Sequence, residues 1–160
     1  MSESMEDTLF GAMEYDYGWI GGYSYKLFGE HVNVSLVVPC DEGDEIEPTQ
    51  RKAFSAFNAK RDELAAQAEA AIFDYYQREV EGWRDQFGVE SADELAPVIN
   101  EPAELASLIE PTEIIIRRTH GSADRVVGLL FSCSWAPQLG LAVKFFNESI
   151  EEVGPQDIVL

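Results

Sequence analysis

A chain of 160 residues with 30 acidic and 11 basic side chains carries a formal net charge of −19. It lacks the clustered lysines and arginines that direct binding to nucleic-acid phosphates or anionic lipid requires. A hydrophobic fraction of 46% supports a folded core and excludes disorder over most of the length, and no linker divides residues 1–160, which read as one domain.

Met1 to Asp7 is polar and acidic and reads as a frayed end. Leu9 to Trp19 alternates imperfectly with a period of two, and Gly21-Gly22 reads as a tight turn. Tyr23–Phe28 and Val32–Val38 follow as strands separated by Gly29-Glu30. In the second, Val32, Val34, Leu36 and Val38 alternate with His31, Asn33, Ser35 and Val37, the pattern of a strand buried on one face. Asp41 to Pro48 is an acidic loop, and Thr49 is placed to cap a helix.

From Gln50 to Phe87 the large apolar residues recur mostly at steps of three and four: Phe54, Phe57, Leu64, Ala68, Ile72, Tyr76, Val80, Trp83 and Phe87. That spacing predicts one face of a long helix, with Gly82 as the place for a break. Ser91 to Ile109 reads as two short helices split at Pro102, with Ser91 and Glu94 at capping-box spacing and Pro111 as terminator. From Ile114 onward, β-branched and aromatic runs are broken at His120-Gly121-Ser122, Pro137–Gly140, Asn147-Glu148 and Gly154-Pro155. The fold class expected is α+β: a mostly antiparallel sheet, made of N-terminal hairpin strands plus a C-terminal meander, packed against one long helix and short helices.

Candidate chemistry is sparse. Cys40 and Cys133 lie in apolar runs and read as buried thiols, although either could meet His31 or His120 in space as a nucleophile–base pair. Neither sits at a glycine-rich elbow or a predicted helix start that would activate it. A disulfide between them needs neighbouring strands, which spacing leaves open. The acidic loop lacks calcium-hand spacing, no Cys or His pair has zinc spacing, and no phosphate-cradling glycine motif is present. No catalytic residue, metal or cofactor is assigned. Tyr15, Tyr17, Trp19, Tyr23 and Tyr25 suit either a sheet face packed on the helix or a binding surface. The candidate partner-binding residues are therefore Asp41, Glu42, Asp44 and Glu45 of the loop, and Tyr15, Asp16, Tyr17 and Trp19 of the hairpin.

The C-terminal stretch G-L-L-F-S-C-S-W-A-P-Q-L-G-L-A-V-K-F-F-N-E-S-I-E-E-V-G-P-Q-D-I resembles the DUF6985-type domain, an uncharacterised bacterial family. The elements that carry the resemblance are Cys133, Trp135, Gly140, Leu141, Val143, Val153, Gly154 and Asp157. F-G-A-M-E-Y-D-Y-G-W and A-I-F-D-Y-Y extend it more weakly over most of the chain. The resemblance implies an association with immunity proteins of bacterial polymorphic toxins. Related sequences often carry an acidic residue and a histidine before the turn glycine. Here Pro137, Gln138 and Leu139 stand in their place, which argues against an enzyme.

The functional expectation is an acidic cytoplasmic binding protein that neutralises a cognate toxin, or another basic protein, by covering its active or substrate-binding surface. The alternatives are a DNA-mimic inhibitor of a nucleic-acid-binding protein and a small enzyme with an unrecognised site. The acidic opening M-S-E-S-M-E-D predicts no secretion signal, and no apolar run approaches the length of a membrane span.

Overall fold

The computed structural model describes residues 3–160. In chain order it comprises β1 (Ser4–Asp7), β2 (Gly11–Tyr15), β3 (Trp19–Leu27), β4 (Glu30–Val38), α1 (Pro48–Ala59) and α2 (Arg61–Leu95). A 3-10 turn (Pro102–Ser107) precedes β5 (Ile109–Ile116), β6 (Val126–Cys133), β7 (Leu141–Phe146) and β8 (Ser149–Gly154), and a second 3-10 turn (Gln156–Val159) ends the chain. The eight strands form one sheet in sequence order. Every neighbouring pair is antiparallel except β4 and β5, which run parallel through Ser35–Glu113, Leu36–Ile114 and Val37–Ile115. This is the α+β arrangement expected, with both helices in the one crossover connection.

The alternation in β4 sets the layers. Val34, Leu36 and Val38 are buried toward the helices, beside Ile114 and Ile116 of β5 and Leu129 and Phe131 of β6. Phe54, Phe57, Leu64, Ala68, Ile72 and Tyr76 supply the facing helical stripe. α1 lies over β5 and β6, and α2 contacts β3 and β8, so the helical layer spans the sheet. On the opposite face Ile115, Leu130 and Ala142 pack under Val159 and Ile158 of the C-terminal turn. Gly128 makes that seat possible, since a Cβ there would lie 2.8 Å from Val159 and 2.9 Å from Ile115.

Several local expectations are corrected. The expected frayed end contains β1, because Ser4–Asp7 pairs with Gly11–Glu14 and Asp7 accepts from the backbone N–H groups of Leu9 and Phe10; Met1 and Ser2 lie outside the described residues. Gly21-Gly22 is not a turn. β3 runs through it, and the missing side chain at Gly21 leaves room for Met13, which a Cβ would approach at 3.2 Å. The turns fall at Asp16–Gly18 and at Phe28-Gly29, where both residues have positive φ (50° and 80°), as a two-residue hairpin of primed type requires.

The helix is capped at Glu47 and not at Thr49: the Glu47 N–H donates to the Gln50 side-chain carbonyl at 2.9 Å, and Pro48 stands at the first helical position. Its breaks come at Lys60 (φ −118°) and at Gly88 (φ 78°, ψ 174°), not at Gly82. Ser91 lies inside the helical span that resumes after Gly88, so it caps nothing. Pro111 does not end a helix; it sits in β5 beside an irregularity in the pairing with β6, where its missing N–H is tolerated.

Candidate functional site

The hairpin turn and the acidic loop, about 25 residues apart in sequence, meet at one corner of the sheet. β3 pairs with β4 so that Trp19 stands opposite Val38, which carries the β2–β3 turn to the point where β4 opens into the loop. A Cβ at Gly18 would lie 3.5 Å from the Pro39 backbone. The Tyr15 hydroxyl donates to the carbonyl of Cys40 at 2.8 Å, and its ring meets Trp19 edge-on at 5.3 Å. Burial first, and then neighbouring Cys40, Glu42, Asp41 and Glu3, push the Tyr15 hydroxyl above its ordinary pKa, so it stays protonated as the donor in this link.

The turn is braced by bonds from Tyr15 N–H to Glu3 carbonyl and from Asp16 N–H to Gly18 carbonyl, both 2.8 Å. Tyr17 projects from its tip with 98% of its surface exposed and a left-handed backbone (φ 59°). The loop is closed by Asp44 N–H on the Asp41 carbonyl at 3.0 Å and by the Cys40 thiol on the Asp44 carbonyl at 3.3 Å. Asp41, Glu42, Asp44 and Glu45 are exposed, while Ile46 anchors the loop in the core. Arg118, just beyond β5, pairs with Asp41 at 3.2 Å.

All eight candidate partner-binding residues thus fall on or beside this corner. The remaining hairpin aromatics face the helices: Tyr25 is buried in the core, and the Tyr23 hydroxyl donates to Asn58 of α1 at 3.0 Å. The aromatic run therefore divides, with Tyr23 and Tyr25 used for packing and Tyr17 presented to solvent. Gly18, Cys40 and Arg118 also build the corner and were not legible as parts of it. Their roles depend on strand register and on a side-chain contact made across the β4–β5 crossover.

The thiols are poorly prepared for nucleophilic chemistry. Burial pushes Cys133 up to about 11, and burial followed by the Asp44 charge raises Cys40. Cys40 and His120 line the same open hollow of about 500 Å³ with Asp41, Asp44, Glu47 and Arg118, but the thiol donates to a backbone carbonyl. Both cysteines are free. Among the described residues no group of three or more His, Cys, Asp or Glu is arranged to hold a metal ion, and no helix is long and apolar enough to cross a membrane.

The C-terminal motif residues lie apart from this corner, and most of them are buried. Trp135 stacks on Trp83 at 5.0 Å and meets Tyr76 edge-on at 5.1 Å. Cys133, Leu141, Val143 and Gly154 are buried. Gly140 (φ 67°) leaves space for Gln156, whose amide donates to the Phe131 carbonyl at 3.0 Å. A match to the family described as a domain of unknown function (DUF6985) covers residues 9–160. The chain belongs to that family. No curated protein and no solved structure matches it. In this DUF6985 domain Cys133, Trp135, Leu141 and Val143 of the motif join the helix-facing core and Gly140 seats Gln156, while the hairpin and loop corner lies within the same match.

Proposed function

We propose that this DUF6985 domain is an acidic binding protein of the immunity type, which neutralises a bacterial toxin domain by covering a cationic surface. The observation that carries the reading is the meeting of the loop Asp41–Glu45 and the hairpin tip Tyr15–Trp19 at one corner, joined by the Tyr15–Cys40 hydrogen bond. An exposed aromatic, Tyr17, on the same corner of the sheet as the exposed loop carboxylates combines an anchor with electrostatic steering, two properties that protein interfaces use for affinity and for association rate. The net charge of −19 extends the steering beyond the corner. The raised thiols lend no support to the enzyme alternative.

The test is capture of a partner from the source organism's lysate, with an equally acidic unrelated domain as control, followed by reconstitution with the purified partner. A one-to-one complex that weakens with salt and suppresses the partner's toxicity on co-expression is the expected result. Retention of only those proteins that the control also retains would overturn the reading. A partner that gives up duplex DNA on binding would move it to the DNA-mimic alternative.

A further inference from the structure

One edge of β3 is open along most of its length. β2 pairs with it only through Glu14–Ile20 and Tyr15–Trp19, whereas β4 follows it from Trp19 to Leu27. The β1–β2 hairpin is drawn away onto α1. Phe10 packs on Phe54 at 5.0 Å, and Arg51 lies over the Phe10 ring at 5.3 Å while it bonds Asp7.

Strand geometry says which backbone groups this leaves facing the gap. The Tyr15 N–H is turned to β1, where it donates to the Glu3 carbonyl at 2.8 Å, so Glu14 turns to β3 and meets Ile20. Residues two apart present their N–H and C=O groups to the same edge, so Gly22, Ser24 and Lys26 face outward with Ile20. Arg61 of α2 shows the same direction, donating to the Ser24 carbonyl at 3.2 Å. A hollow of about 470 Å³ lies along this edge, with Leu9, Tyr23, Ser24, Phe54 and Arg61 in its lining. Gly22 leaves it unobstructed, since a Cβ there would meet nothing within 4 Å.

A row of backbone donors and acceptors recognises an extended chain. We propose that the β3 edge from Gly22 to Lys26 takes up an extended segment of a partner protein as an added antiparallel strand, with an apolar side chain opposite Tyr23. That side chain points toward the helices, where Leu9 and Phe54 line the hollow, and its neighbours point to the other face beside Gly22 and Ser24. Arg61 yields the Ser24 carbonyl to an N–H of the segment. A second copy of this chain is the poorer occupant, because each copy brings a net charge of −19. The surface is separate from the hairpin and loop corner and does not rest on the toxin reading.

The probe is the peptide acetyl-Ser-Thr-Val-Thr-Ser-amide, titrated into the full chain and followed by amide NMR and hydrogen exchange. Without peptide, the amides of Gly22, Ser24 and Lys26 are expected to exchange fast, and those of Gly21, Tyr23 and Tyr25, turned to β4, slowly. The peptide should shift and protect the first set. An analogue N-methylated at both threonines lacks the N–H groups that face β3 and should bind about tenfold more weakly. N-methylation of the valine, whose N–H points away, should change little. Gly22→Pro, which removes an edge donor and leaves the β4 ladder its own, should also weaken the peptide. Equal binding by the two N-methylated analogues, or shifts centred elsewhere, would overturn the proposal. A concentration-dependent dimer that protects the same amides would assign the edge to a second copy and overturn it too.

Discussion

Two buried polar side chains show how differently single residues are accommodated. Gln50 is fully buried, yet its amide donates to the carbonyls of Pro39 and Ile116 at 2.9 and 3.0 Å and accepts from Glu47 N–H at 2.9 Å. It ties the end of β4, the start of α1 and the end of β5 into one knot. Tyr25 is buried as deeply, but its hydroxyl has no partner. An orphaned buried hydroxyl costs about 1–3 kcal/mol. Tyr25→Phe is therefore expected to raise stability by about 1 kcal/mol, read from urea unfolding, and a loss of stability would reveal a partner for the hydroxyl. Asp7 gives a pH signature. The Arg51 guanidinium, bonded at 2.9 and 3.1 Å, holds its carboxyl at about 2, against burial. A folded-state value below the unfolded one stabilises at higher pH, so this contribution is complete above about pH 4 and fades as pH falls toward 2. Asp7→Asn should lower stability by about 0.5–1 kcal/mol at pH 7, and the difference from the parent should vanish near pH 2.

At the scale of elements, the C-terminal 3-10 turn depends on a missing side chain in the strand beneath it. Gly128→Ala would drive a methyl into Val159 and Ile115, and overpacking of this kind costs about 1–3 kcal/mol. Amide exchange over Gln156–Val159 should accelerate more than exchange in β3, whereas uniform acceleration would mean that the turn is not separately seated. This seat also marks the limit of what the residue pattern discloses. Strands and helices were legible where one face is buried: the alternation in Val32–Val38 and the three-four spacing from Phe54 to Val80 follow from having a single apolar side. Punctuation was less legible, because glycine serves two purposes. Gly21 and Gly128 make room for Met13 and Val159 inside strands, whereas Gly88 supplies a left-handed bend that interrupts a helix. Local sequence does not separate these uses. The candidate site was legible as two fragments and not as one place, since their adjacency comes from the β3–β4 register and from a tyrosine hydroxyl reaching Cys40.

For the whole molecule the dominant quantity is charge. Several of the arginines are already engaged, Arg51 by Asp7, Arg84 by Asp93, Arg118 by Asp41 and Arg125 by Glu148, so the excess carboxylates set the outward field. Such a field acts on encounter more than on the final contact. Neutralising the loop with Asp41→Asn, Glu42→Gln, Asp44→Asn and Glu45→Gln should slow association with the cationic partner proposed above and flatten its dependence on ionic strength. Dissociation should change less, as stopped-flow mixing at several salt concentrations would show. An unaltered association rate would remove the loop from the encounter surface.

The lone parallel junction also shapes how the chain reaches this state. β1–β4 and β5–β8 are each runs of successive antiparallel neighbours that can zip up from short connections. Joining them requires closure of the roughly 70-residue segment between Val38 and Ile109, for the reward of three paired positions. The helices that fill that segment must therefore fold back over both half-sheets for the union to hold. Until they do, β4 and β5 are open edges, and the moments after synthesis are when this chain is most exposed to pairing with the wrong strand.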